Sequence, residues 1–265
     1  MKFLLINGSP HKGNTWKIVE QVRAEIQKED KEATFTEIHL DEEQLPFCRG
    51  CSNCFRLGHE KCPHRKTIGK VIEAIDQVDG VIVASTTYNR RETSILKNLF
   101  DHLSFMLHRP YFFRSKVMVI TTTGGVGGRA AAKSIASFLK GIGFNRFYLF
   151  STASFSWNDY KINEKIKLKI DKMTRVFCKD VAGGKLHSPS YMLLIPYNLF
   201  RGMSLAYVKG TEFETMDGIH WTDKKRQRGV YDCSVHVPFY KKPFGQLFYL
   251  IGKFAGRKTM VTYKK

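Results

Sequence analysis

Long apolar runs are what this chain has least of. No stretch of its 265 residues reaches the roughly 20 apolar residues of a membrane-spanning helix. The apolar start Lys2-Phe3-Leu4-Leu5-Ile6 runs at once into a glycine loop, so it reads as a strand and not as a secretory leader. A cytoplasmic protein is expected on these grounds. Acid is also short: 24 Asp and Glu stand against 43 Lys and Arg, a formal net charge of +19. So basic a surface attracts anions, but the charge is spread along the chain and no nucleic-acid-binding module is present. Nucleic acid is therefore not expected as a partner. Two familiar glycine loops are missing as well. A nucleoside-triphosphatase loop ends in Gly-Lys-Ser/Thr, and here Gly13-Asn14-Thr15 lacks the lysine. A dinucleotide fingerprint needs three spaced glycines, and only Gly8 and Gly13 are available. The hydrophobic share of 43% excludes wholesale disorder.

Cysteine, by contrast, is concentrated. Four thiols fall in one short loop, Cys48-x2-Cys51-x2-Cys54-x7-Cys62, just before Pro63. Bacterial ferredoxins hold clusters with a similar run, and the spacing admits an iron–sulfur cluster, a zinc site, or a local redox or disulfide group. A reducing compartment disfavours structural disulfides and moves the reading toward metal or redox chemistry. Zinc is the weaker metal, because its structural sites place ligands as two separated pairs. His59 and His64 are available to replace a thiolate, though lone histidines in a polar loop are more often solvated. Cys178 and Cys233 stand alone and read as inert thiols.

Short apolar runs alternate with amphipathic ones over the first 180 residues. Strands are expected at 2–6, 34–40, 80–84, 116–120 and 146–150; residues 80–84 are the β-branched, continuous run of a strand buried on both faces. Helices are expected at 15–28, 67–77, 93–107, 129–140 and 159–181 from apolar positions spaced three and four apart, as in Ile18, Val19, Val22 and Ile26. This alternation gives a parallel sheet covered by helices on both faces. Five strands joined by right-handed crossovers favour the order 2-1-3-4-5. Ligands of such sheets bind beyond the carboxyl ends of the strands, which directs attention to the loops after Ile6, Leu40, Ala84 and Ile120.

Those loops carry the least ordinary sequences in the chain. Residues 7–15, Asn-Gly-Ser-Pro-His-Lys-Gly-Asn-Thr, precede a helix whose first N–H groups and dipole make an anion site. Ser9, Asn14 and Thr15 can add side-chain donors, and a single monophosphate dianion fits a loop with donors but no lysine for a triphosphate. Residues 85–91 (Ser-Thr-Thr-Tyr-Asn-Arg-Arg) and 121–128 (Thr-Thr-Thr-Gly-Gly-Val-Gly-Gly) offer hydroxyls, amides and glycines suited to a flat polar heterocycle, with Tyr88 placed to lie against its ring.

At these residues the chain resembles the NADPH-dependent FMN reductase group of flavodoxin-like proteins. Gly8-Ser9-Pro10-His11-Lys12-Gly13-Asn14-Thr15 resembles its FMN-phosphate loop. Ser85-Thr86-Thr87-Tyr88 with Leu96-Lys97 and Asp101 resembles its second flavin segment, and Thr123-Gly124-Gly125 its third. With the four cysteines added, the chain is similar to the iron-sulfur flavoproteins within that group. Thr86 departs from a usual proline, and His102 stands where Arg is usual. The resemblance implies FMN held by Ser9, Lys12, Gly13, Asn14, Thr15, Ser85, Thr86, Thr87, Tyr88, Asn89, Thr122, Thr123, Gly124 and Gly125. It implies a [4Fe–4S] cluster on Cys48, Cys51, Cys54 and Cys62, with reduced nicotinamide or a ferredoxin as electron donor and a small-molecule acceptor. The flavin carries such chemistry, so no catalytic side chain is expected.

The resemblance fits a flavodoxin-like FMN-binding domain over residues 1–183. Residues 184–265 form a basic, aromatic-rich extension in which the alternation stops. Two apolar stretches, 192–200 and 244–254, and a Lys224–Arg228 basic run stand out. So much aromatic surface is expected to be covered, by the sheet domain, by a second subunit in a homo-oligomer (the favoured reading), or by peripheral contact with a membrane. The basic run could meet the phosphates of a dinucleotide donor, though a solvated face is the simpler reading.

Overall fold

Alternation along each strand sends neighbouring side chains to opposite faces of a sheet, and in this chain both faces are apolar. The computed structural model describes residues 1–157 and 159–258. Strands β1 (Lys2–Asn7), β2 (Thr34–His39), β3 (Gly80–Thr86), β4 (Lys116–Thr123) and β5 (Arg146–Ala153) form one parallel sheet in the order β2-β1-β3-β4-β5. This is the flavodoxin-like topology. Phe3 and Leu5 point to a layer made by α1 (Asn14–Glu29) and α6 (Glu164–Gly183), where they meet Ile18, Val22 and Phe177. Leu4 and Ile6 point to the other, where α3 (Arg65–Asp76), α4 (Ser94–His102) and α5 (Gly128–Gly141) supply Val71, Leu99 and Ile135. A four-residue helix, α2 (Asn53–Arg56), lies within the cysteine loop.

Several boundaries differ from those read in the sequence; β5 too runs past residue 150, to Ala153. β3 and β4 run on to Thr86 and Thr123 because Ser85 pairs with Thr121 and Thr86 with Thr122; their hydroxyl-rich ends belong to the ladder and not to loops. The helix expected over 93–107 stops at His102 and is followed by a separate 3₁₀ turn, Ser104–Leu107. α6 begins at Glu164 and not at residue 159, because Asn163 caps it by accepting from the Ile166 N–H (2.9 Å).

Beyond Gly184 the chain forms α7 (Tyr191–Met203), α8 (Met216–Thr222), α9 (Lys224–Gln227) and α10 (Lys242–Lys258). Trp221, Tyr197, Leu194 and Tyr231 bury themselves with Phe113 of the sheet domain, and the Trp221 indole donates to the His108 carbonyl (2.9 Å). The extension thus covers its own sheet domain with these aromatics. The basic run at 224–228 forms α9, capped by Asp223 accepting from the Lys225 N–H (2.9 Å). No helix of the described residues is long and apolar enough to cross a membrane.

Candidate functional site

The turn from β1 into α1 is fixed from both sides. The Gly8 N–H donates to the Ala84 carbonyl of β3 (2.7 Å). A Cβ at Gly8 would come within 2.8 Å of Leu96 Cβ and 3.2 Å of that same carbonyl, so only glycine lets the turn sit this close. Thr93, which caps α4, donates its hydroxyl to the Gly8 carbonyl. A relay from the sheet edge sets the next residue. His39 Nε2 lies 2.7 Å from Glu37 Oε2 and must donate to it, so Nδ1 accepts from Asn7 Nδ2 (3.3 Å). Asn7 Oδ1 in turn accepts from the Ser9 N–H (3.0 Å). The Ser9 hydroxyl oxygen accepts from the Thr86 N–H (3.0 Å), which leaves its proton free for a ligand. Helix α1 follows with Gly13 at its N-cap and no side chain capping it; its first N–H groups have no intrahelical carbonyl to meet.

A cavity of about 580 Å³ opens at this point, beyond the carboxyl ends of β1, β3, β4 and β5. Ser9, Gly13, Asn14, Thr15, Thr86, Thr87, Tyr88, Asn89, Thr122, Thr123 and Gly124 all line it. The Thr87 hydroxyl is buried with no hydrogen-bond partner among the described residues, and a buried polar atom of that kind wants a ligand or water. Thr15 and Thr122 hydroxyls lie 2.5 Å apart, so one proton of the pair remains to be donated. Tyr88 and Arg91 exchange backbone hydrogen bonds (3.0 and 2.9 Å) around Asn89 and Arg90, both left-handed at φ +50° and +66°. This is the I′-like geometry of a tight hairpin, and it leaves the Tyr88 ring half exposed at the rim. Gly127, at φ +92°, packs against Arg90 at its back.

Three expected residues are placed elsewhere. Lys12 turns toward β2, 3.5 Å from Glu37 Oε2 and over the Trp16 ring. Ser85 is fully buried, its hydroxyl accepting from the Thr93 N–H (3.3 Å) and donating to the Thr86 carbonyl (2.8 Å). Gly125 is exposed and lines no part of the cavity. In their stead the loop after β5 contributes Ser154, Ser156 and Trp157, and His11 joins from the first loop. Asn14 holds that loop in place: its amide donates to the Ser156 (2.9 Å) and Trp157 (3.1 Å) carbonyls, and its Oδ1 accepts from the Tyr160 N–H (3.3 Å). The signal for this fifth segment was present in Ser154-Phe155-Ser156-Trp157, a pair of aromatics among hydroxyls directly after a strand.

The loop after β2 builds a second, smaller cavity of about 70 Å³, lined by all four clustered cysteines with His64 and His102. Left-handed turns at Gly50, Ser52 and Gly58 fold it back on itself. Helix α4 supports it from one side with two residues a turn apart. Asn98 accepts from the Cys48 N–H (3.1 Å) and donates to the Leu45 and Pro46 carbonyls (2.9 and 3.2 Å). His102 Nε2 donates to the Pro46 carbonyl (2.9 Å). From the other side Arg109 donates to the Cys54 carbonyl (2.6 Å) and to Asp217 of α8 (2.7 Å). Burial pushes the Cys54 thiol up to about 11; Cys62 and Cys48 add to this, and Arg109 opposes it. Ligand atoms of Cys62, His64 and His102 lie within 4.8 Å of one another. His59 does not line this cavity; its ring stacks on Phe105 (5.3 Å). One helix joins the two cavities, since Thr93 holds Gly8 and Asn98 holds Cys48, five residues or roughly 7.5 Å along the axis.

A doubly wound sheet with an uncapped helix start after its first strand and a polar cavity beyond its strand ends has the geometry of a mononucleotide site. Residues 1–155 match the model of the NADPH-dependent FMN reductase family, and the chain belongs to that family of oxidoreductases. It is similar to an iron-sulfur flavoprotein of Archaeoglobus fulgidus, 33% identical over 144 residues, 53% of this chain and 69% of that one. It is also similar to an iron-sulfur flavoprotein of Clostridioides difficile, 29% identical over 181 residues, 67% of this chain and 78% of that one. Among solved structures it shares its fold with an apo NADH:FMN oxidoreductase, with a TM-score of 0.50 and 18% identity over 71% of this chain and 91% of the other. A flavone reductase shares it with a TM-score of 0.51 and 10% identity, over 69% of this chain and 63% of the other.

Proposed function

We propose that this chain is an FMN-dependent oxidoreductase that takes electrons from a reduced nicotinamide or a ferredoxin and passes them to a small acceptor, with a [4Fe–4S] cluster on Cys48, Cys51, Cys54 and Cys62. The observation that carries the flavin is the 580 Å³ cavity, which combines an uncapped helix start, free hydroxyl protons and the unpartnered Thr87 hydroxyl. In this reading the phosphate lies against residues 9–15, and Thr86–Asn89 and Thr122–Gly124 meet the ring edges. Tyr88 and Trp157 flank the ring. Bound there, FMN supplies both two-electron and one-electron transfer, and the residues bind it, orient it and exclude water.

The cluster rests on the thiols sharing one supported cavity and on the names of the relatives. A single zinc ion held at 2.3 Å needs sulfurs only about 3.8 Å apart. Among the described residues the ligand atoms found within 4.8 Å of one another are those of Cys62, His64 and His102, not the four thiols. The four thiols are not grouped that closely, which a single zinc ion requires and a four-iron centre does not. That three-residue group supports a second reading, a mononuclear zinc site beside a cluster-free flavin. The test is anaerobic purification with assays of FMN, iron, acid-labile sulfide and zinc. The proposal predicts FMN with iron and sulfide in comparable amounts, and Cys51→Ala losing iron while keeping FMN. Zinc without iron, unaffected by Cys51→Ala, would establish the second reading instead. NAD(P)H oxidation by the holoprotein then separates an enzyme from an electron carrier.

A further inference from the structure

Helix α10 is amphipathic in the reverse sense. Its inner face is glycine: a Cβ at Gly252 would come within 2.3 Å of the Leu199 carbonyl oxygen, and one at Gly256 within 2.7 Å of that of Met203. Tyr191 meets Phe244 at one end and Met203 meets Gly256 at the other, so α7 and α10 lie backbone against backbone and run parallel. Such small-residue contacts are the way helices pack when their larger apolar side chains face elsewhere. Here they face outward. Leu247, Leu250 and Phe254 fall within about 60° of arc at 3.6 residues per turn, and they are 53%, 53% and 62% exposed. Phe239, just before the helix, is 82% exposed. Four large apolar side chains left exposed within sixteen residues are more than singly scattered surface residues.

The charge along α10 and the segment leading into it has one sign. Residues 233–258 contain no Asp or Glu and five Lys and Arg, and α7 also contains no acid. Lys253 and Arg257 lie on the flank of the apolar strip, where long basic side chains reach from an apolar layer to a polar one. A second copy of this chain would bring like charges together across the same face, which opposes docking. We propose that the outward face of α10 docks on an anionic lipid surface, with the helix lying in the plane of the interface and its apolar strip entering the acyl boundary. The inference is independent of which cofactor the cavities hold.

Co-sedimentation of the full-length protein with vesicles of phosphatidylcholine, with and without phosphatidylglycerol, tests it. The protein is expected to pellet only with the anionic vesicles and to be released by salt. Leu250→Ser with Phe254→Ser, both at exposed positions, should abolish pelleting without moving the melting temperature. Lys253→Gln with Arg257→Gln should weaken binding by roughly fivefold per charge removed, while the matched pair Lys169→Gln with Lys172→Gln on α6 should leave it nearly unchanged. Equal losses from the two basic pairs would reduce the effect to overall net charge and overturn the proposal. So would a failure to pellet with anionic vesicles. A dimer in solution that Leu250→Ser with Phe254→Ser converts to monomer would overturn it as well, assigning the face to a second copy.

Discussion

Asn14 has two roles in this arrangement. Its position at the start of α1 places it beside the proposed phosphate, and its side chain ties down the 154–160 loop through three hydrogen bonds. Asn14→Asp removes two donors and adds a negative charge next to a dianion. The expected result is FMN affinity lower by about two orders of magnitude, from losses of about 1 kcal/mol per hydrogen bond plus like-charge repulsion; fluorescence titration measures it, and an unchanged affinity would move the phosphate elsewhere. Glu37 gives a second prediction. Burial alone would raise its carboxyl, but hydrogen bonds from Arg23 and His39 and the charges of Arg23 and Lys12 outweigh that and hold it at about 2, against an ordinary 4.5. A depressed carboxyl stabilises the fold above its unfolded value and loses that contribution as pH falls toward the folded one. Stability is therefore expected to fall between about pH 4.5 and 2, and urea unfolding of Glu37→Gln should show a flatter dependence in that window. At this scale the sequence was informative about hydroxyls, amides and glycines but not about direction. Lys12 and Ser85 have suitable chemistry, yet Lys12 is drawn to Glu37 and Ser85 is consumed by Thr86 and Thr93. Pairings of that sort are set by neighbours distant in sequence.

Single elements carry the coupling between the two cavities and the extension. Helix α4 spans from Gly8 to Cys48, and α8 reaches the same cysteine loop through Asp217 and Arg109. Both members of that ion pair are more than nine-tenths buried, so breaking it leaves an uncompensated charge at a cost of about 3–5 kcal/mol. Asp217→Ala is expected to lower the melting temperature and to release iron while FMN stays bound; iron retained at the wild-type level would show that α8 does not support the cysteine loop. The helices and strands were legible because apolar spacing is local. Their ends were less so: β3 and β4 run on through Ser85, Thr86 and Thr121–Thr123 because cross-strand pairing continues, and no residue of one strand announces that its neighbour is in register. The late start of α6 was signalled by Asn163, a good capping residue in front of Glu164.

For the whole molecule, the strand order followed from alternation and handedness, and the sheet has it. The extension was legible only as aromatic and basic. That Trp221 and Tyr231 would settle on Phe113 depends on three segments far apart in the chain, which no periodicity reports. Truncation after Gly184 should uncover Phe113 and leave Arg109 and His108 without Asp217. A lower melting temperature and loss of solubility are expected, and a truncated protein that melts like the full chain would show the extension to be an independent appendage. The central claim, that the turn leaving β1 receives the phosphate of FMN, is tested most directly by comparing the affinities of the apoprotein for FMN and for riboflavin, which differ only in that phosphate. The arrangement of Ser9, Gly13, Asn14 and Thr15 predicts FMN binding at least about a hundredfold tighter, as several charge-assisted hydrogen bonds require, and equal affinity for the two would contradict it.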